Sequence, residues 1–242
     1  VHKVALHEKR ARWKVLAARK DLARVRIALM ATFSIHPLEP YLGYALHTGG
    51  QSAALLTSPF DQIVPELLDA GSQTQRFSPK FCLVWPRLED MWRSQPLPGS
   101  GSTVDYGAAL LELANLVAER AAASDCHFLF VLPAIPSTRP LGLGDSLSTQ
   151  GVYATAVRVR EAVRQRLADQ SQVALLDFEE VVRALGEDQV YDWRLVSLAR
   201  IPYTEAAFDE VGVRLARLVS LVSNPATSRL IEDPDAFRWN IF

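Results

Sequence analysis

The sequence predicts an α/β domain: a three-layer αβα sandwich around a five-stranded parallel sheet, with an extra helix at the N-terminus. Three observations carry this expectation. Five short apolar runs recur at wide spacing along the 242 residues. They lack the alternation of a strand with one wet face, so they suit strands buried on both sides. Helical patterns separate them, which implies right-handed βαβ units and a sheet covered on both faces.

The runs are Val25–Ala31 (VRIALMA), Ser52–Thr57 (SAALLT), Phe81–Trp85 (FCLVW), His127–Leu132 (HFLFVL) and Gln172–Phe178 (QVALLDF). Pro37–Thr48 and Phe60–Ala70 read as short helices, each with a proline near its start, where a missing N–H costs little. Tyr106–Ala123 is rich in Ala, Leu and Glu on a helical period, and Gly151–Gln170 sets Val and Ala against Arg and Glu at the same spacing. Thr204–Val222 closes the ordered body, with Thr204 as its expected N-cap and acids in the first turns. Five strands suggest a flavodoxin-like order, in which ligands bind where the C-terminal strand ends open into loops. Those loops are Thr32–His36, Ser58–Asp61, Pro86–Asp90, Pro133–Leu143 and the stretch Ala199–Thr204.

Two segments flank the expected body at 25–223. Residues 1–24 read as a basic helix carrying Lys3, Lys9, Arg10, Arg12, Lys14, Arg19, Lys20 and Arg24 against Glu8 and Asp21. Such a face is ordinarily solvated, with an acidic partner as the alternative. Residues 224–242 form a tail with two prolines and the aromatics Phe237, Trp239 and Phe242, while Pro96–Ser102 (PLPGSGS) reads as a flexible surface loop.

Composition narrows the classes of function. An apolar share of 49% and a charged share of 22% are those of a globular protein, and a net charge of -1 argues against general affinity for nucleic acid or anionic membrane. No apolar run approaches the length that spans a bilayer, and the charged N-terminus lacks the pattern of a signal peptide. Cys82 and Cys126 lie far apart and read as buried thiols in a reduced compartment, with neither a disulfide nor a metal pair expected; the cytoplasm is the expected location. No P-loop, dinucleotide glycine fingerprint, zinc spacing or HExxH is present, so no cofactor and no metal is expected.

Candidate chemistry gathers at the tip of the first run. Met30-Ala31-Thr32-Phe33-Ser34-Ile35-His36-Pro37 leads from strand to helix, where N–H groups can hold an oxyanion. Ser34 occupies a nucleophile's place, yet a serine needs a base within hydrogen-bond reach. No histidine follows His127, and His36 is too close in sequence to turn back on Ser34. A capped helix start and a binding role for Ser34 and His36 both stay open. Other rim groups are Arg87, Glu89 and Asp90 after the third run, Asp177, Glu179 and Glu180 at the fifth, and Arg194 and Arg200 before the last helix. Such an arginine–carboxylate network staples loops together or binds an anion. The letters GDSL at Gly144–Leu147 fall after the fourth run rather than the first, where Asp145 or Ser148 as a helix N-cap explains them better than catalysis at Ser146.

Three dispersed stretches, RVRIALMATFSIHPLEPYLGYAL, FSPKFCLVWPRLEDMW and YDWRLVSLARIPYTEAAFDEVG, resemble the N-terminal, SGNH-hydrolase-like domain of the FkbH-like proteins of polyketide and nonribosomal peptide biosynthesis. The resemblance covers roughly residues 24–223. It implies a partner phosphatase domain of haloacid-dehalogenase type and the loading of a glyceryl unit onto an acyl carrier protein. The phosphatase motif Asp-x-Asp-x-Thr is absent, since Asp233-Pro-Asp235 lacks the threonine. Against the SGNH pattern, Thr32-Phe33-Ser34 stands where Gly-Asp-Ser would be, and Arg87-Leu88-Glu89-Asp90 stands near the Gly-x-Asn-Asp block. Leu198 and Ile201 take the places of the final Asp and His, so the standard triad is missing. The expectation is a domain that holds an acyl or glyceryl group, or its phosphopantetheine-linked form on a carrier protein, among Thr32, Ser34, His36, Arg87, Asp90, Arg200 and Tyr203. Two alternatives are an acyltransferase or esterase using Ser34, and a structural or oligomerisation domain.

Overall fold

The computed structural model describes residues 4–19, 24–93 and 105–223. The expected loop at 96–102 and the expected tail at 224–242 lie outside the described residues. The strands are β1 (Val25–Ala31), β2 (Ala53–Thr57), β3 (Phe81–Trp85), β4 (His127–Leu132) and β5 (Val173–Asp177). All pair in parallel, in the order β2-β1-β3-β4-β5. This is the flavodoxin-like order expected from five two-sided runs. The three central strands are buried almost throughout, while edge strands β2 and β5 are half-exposed.

Successive strand residues point to opposite faces, and each face has its own core. Ile27, Leu29, Phe81, Leu83, Trp85, Leu129, Val131 and Leu176 face one layer. That layer contains α1 (Leu6–Ala18), α2 (Glu39–Thr48), α8 (Phe178–Leu185) and α11 (Glu205–Ser223). Ala28, Met30, Cys82, Val84, Phe128, Phe130 and Leu132 face the other. It is covered by α3 (Ile63–Leu68), α6 (Ala108–Ala122) and α7 (Val152–Leu167). Short helices fill the connections: α4 (Gln73–Phe77), α5 (Leu88–Met91), α9 (Glu187–Val190) and α10 (Trp193–Ala199).

The chain leaves β1 through α2 on one face and returns from β2 to β3 through α3 and α4 on the other. The C-terminal ends of β1 and β3 therefore flank the point where the winding reverses, the crevice that open parallel sheets use for ligands.

Helix ends follow the chemistry of their caps. Thr204 accepts from the Ala207 N–H at the start of α11, as expected. Asp145 is fully buried and accepts from the N–H groups of Val152 and Tyr153 at 2.8 and 3.0 Å, so the Gly-Asp-Ser-Leu string serves the start of α7. Ser146 sits exposed beside it and donates to the Leu143 carbonyl.

The N-terminal basic helix keeps Arg10, Arg12, Lys14 and Arg19 exposed, as in the solvated reading, and departs from it at Lys9. Lys9 is buried and pairs with Asp209 of α11 at 2.6 Å, and Arg10 pairs with Glu205. The acids that meet this face belong to the chain itself. Trp13 lies so close over Gly43 of α2 that a side-chain carbon at Gly43 would sit under 3.0 Å from its ring carbons. Cys82 and Cys126 are both free thiols, Cys82 buried as expected and Cys126 only half-buried, and both pack on the same face of the sheet.

Candidate functional site

At the tip of β1, Thr32 is buried and its hydroxyl is doubly engaged. It accepts from the Arg87 N–H at 3.0 Å and donates to Asp90 Oδ2 at 3.1 Å. Asp90 Oδ1 takes Arg93 at 2.8 Å and the nearly buried Arg87 at 3.5 Å, while Arg87 Nε lies 3.3 Å from Glu89. Helix α5 and the residues on either side of it deliver Arg87, Glu89, Asp90 and Arg93 to the tip of β1. Charge-assisted contacts of this kind fix side chains as well as attract ligands.

Beneath this network lies an aromatic stack. Tyr203, 3% exposed, stacks on Trp85 with centroids 5.1 Å apart and meets Phe33 edge-on at the same separation. Phe178 and Tyr191 close its other sides. Burial, then the neighbouring Tyr191, pushes the Tyr203 phenol well above its ordinary range, so it stays neutral. Burial also lifts the Glu89 carboxyl, against the opposing pull of Arg87.

On the other side of Thr32 and Asp90 a cleft of about 400 Å³ opens between α3, α5 and α6. Ile63, Val64, Met91, Leu113 and Leu116 form its apolar wall, and Asp61 and Glu112 add carboxylates. Asp61 adopts a left-handed backbone conformation at φ 56°, and burial raises its carboxyl despite the nearby Arg93. Among the described residues, no group of three or more His, Cys, Asp or Glu side chains is placed to hold a metal ion.

The expected site residues thus divide. Thr32, Arg87 and Asp90 meet directly, with Tyr203 packed below them. Ser34 stands apart: its hydroxyl donates to the Ala199 carbonyl at 2.8 Å and its N–H to the Arg200 carbonyl at 2.9 Å. Arg200 itself ends α10 in a left-handed conformation and is exposed. The His36 ring turns to Glu39 at 3.2 Å, and Glu39 also accepts from Thr57 on β2. The geometry therefore ties Ser34 to backbone carbonyl groups rather than to an imidazole. Leu198 is 82% exposed and Ile201 packs against the core, and neither side chain can take a proton. The remaining rim pairs act as staples: Arg160 holds Asp177 at 2.9 Å, and Arg214 holds Glu180 at 3.0 Å.

Asp61 and Arg93 were not among the expected site residues. Asp61 lies in a flagged strand-end loop, and Arg93 follows Asp90 at the i,i+3 spacing of a helix, a signal that becomes legible only once α5 is recognised.

Neither a family model nor a curated protein matches the sequence. Solved structures do match. The N-terminal part of the protein BF1531 from Bacteroides fragilis, containing a phosphatase domain and complexed with Mg, superposes with a TM-score of 0.78 at 11% identity. The match covers 92% of this chain and 58% of that one, so this chain spans little more than half the length of that relative. A Slackia heliotrinireducens protein assigned as an SGNH hydrolase matches at TM-score 0.54 and 14% identity, over 81% of this chain and all of the other. The acetyl xylan esterase AlAXEase matches at 0.56 and 13%, with the same coverage. The chain has an SGNH-hydrolase-like α/β fold. At these identities the likeness is one of fold.

Proposed function

We propose that this chain is the SGNH-like domain of an FkbH-type system, holding an acyl or glyceryl group, free or on the phosphopantetheine arm of an acyl carrier protein, without cleaving it. The observation that carries the reading is the division of the rim. The hydroxyl at the nucleophile's place is tied to the Ala199 carbonyl, whereas Thr32, Asp90, Asp61 and Glu112 border an open, largely apolar cleft. A cleft with an apolar wall and a few fixed polar groups is built to bind. The likeness to a structure that also contains a phosphatase domain supports a phosphatase as a second partner; the haloacid-dehalogenase type is what the sequence resemblance implies.

Titration with acyl-, glyceryl- and holo-carrier protein at low salt tests the reading. Saturable binding that weakens at least ~10-fold in Asp90→Asn would agree with the loss of one charged contact. Absence of binding to every carrier form would reject it. The esterase alternative is tested on a p-nitrophenyl ester: turnover lost in Ser34→Ala would reinstate Ser34 as nucleophile, and turnover absent in both chains agrees with holding. A residual rate that survives Ser34→Ala would not count for Ser34, because oxyanion stabilisation alone accelerates hydrolysis.

A further inference from the structure

A second cavity, of about 460 Å³, opens at the opposite end of the sheet, where β1, β3 and β4 begin. Cys82 and Cys126 both line it, beneath a rim that includes Arg26, Lys80 and Arg120. Register explains the meeting. Phe81 pairs with His127 and Cys82 with Phe128, so Cys126, just before β4, lies diagonally across from Cys82. Both side chains pack on the same face of the sheet. The Cys126 thiol donates to the His127 carbonyl at 3.7 Å; the neighbouring Cys126, with burial, holds the proton on Cys82, while Arg120 pulls the other way. Cys126 is the thiol that a solute in the cavity can reach.

We propose that Cys82 and Cys126 form a dithiol modification site, at which a peroxide converts the pair to an intrachain disulfide. Cys126 attacks the peroxide as thiolate: an S–O bond forms, the O–O bond breaks, and the released hydroxide takes up a proton. The sulfur is oxidised by two electrons and the peroxide is reduced. Cys82 then attacks the sulfenic sulfur: the S–S bond forms, the S–O bond breaks, and water leaves with the Cys82 proton. A reachable sulfur beside cationic side chains, with a resolving thiol next to it, is the arrangement such oxidation favours. The tether would join β3 to β4 far from the Thr32 cleft.

Hydrogen peroxide added to the reduced full chain tests this by peptide mass spectrometry without reductant. The expected product is a Cys82–Cys126 linked peptide, formed with loss of two thiols and reversed by dithiothreitol. In Cys82→Ala, dimedone should trap a sulfenic acid on Cys126; in Cys126→Ser, Cys82 should remain a thiol. A bifunctional bimane, added to the unmodified native chain, should bridge the two sulfurs and so tests the contact without any variant. Oxidation of Cys126 to sulfinic acid beside an intact Cys82 thiol, linkage between two chains through Cys126, or bimane monoadducts alone would each overturn the proposal.

Discussion

Thr32 shows how one hydroxyl can hold two loops. Its oxygen accepts from the chain after β3 and its proton goes to the carboxylate of α5. Thr32→Val keeps the shape but leaves a buried N–H and a carboxylate oxygen without a partner, which costs about 1–3 kcal/mol; urea unfolding should show that loss. Glu89 gives a pH signature. Because its folded-state carboxyl lies above the ordinary value of 4.5, the folded form holds the proton more tightly than the unfolded form. That contribution is complete below the ordinary value and disappears as pH rises through the raised one. Unfolding free energies of the parent and Glu89→Gln, compared from about pH 4 to pH 8, should therefore show a flatter profile in the variant. A steeper one would contradict the assignment. At this scale the sequence was only partly legible. Thr32, Arg87 and Asp90 could be placed on one rim from strand ends, but their hydrogen bonds link positions far apart in the chain, and no local pattern encodes them. That Cys82 and Cys126 line one cavity was hidden for the same reason.

The elements were easier to read where they are long or doubly buried. Strands β1, β3 and β4 match their apolar runs because both faces lie against helices, so no polar position interrupts them. Helices α4, α5, α8, α9 and α10 were missed, since a helix of one or two turns carries too little periodicity to stand out. The basic helix was found but its partner was not. In α1 the face is defined by Lys9 reaching Asp209, with both side chains only 10% exposed. Removing one member of a buried pair strands the other charge, at about 3–5 kcal/mol, whereas replacing both with apolar groups costs far less. Lys9→Met alone should therefore lower the unfolding midpoint markedly, and Lys9→Met with Asp209→Leu should recover most of the loss. The same helix layer depends on close approach: a side-chain carbon at Gly212 of α11 would sit 2.8 Å from the Leu42 backbone nitrogen of α2.

At the scale of the whole molecule, one sheet is shared by two cores, and neither layer of helices can leave without baring a face of all five strands. Trp85 is buried in one core and Trp92 in the other. Chains retaining a single tryptophan at 85 or at 92, the others replaced by Phe, should unfold in urea with the same midpoint by fluorescence and by circular dichroism, as one cooperative unit. Separate midpoints would mean that the layers melt independently. Among the described residues no helix is long and apolar enough to cross a membrane.

The pairing of Lys9 and Arg10 with Asp209 and Glu205 bears on how salt dependence should be interpreted. Two cations that looked available to an acidic visitor are already neutralised at home. The Arg10–Glu205 pair, about half exposed on each side, lies within reach of screening, and the Lys9–Asp209 pair is shielded from it. Added salt would loosen the seating of an N-terminal helix at its outer pair before it touched the inner one. A carrier affinity that falls with ionic strength would thus report on charges other than these two, such as the exposed Arg12 and Lys14, unless melting temperature falls in step with it.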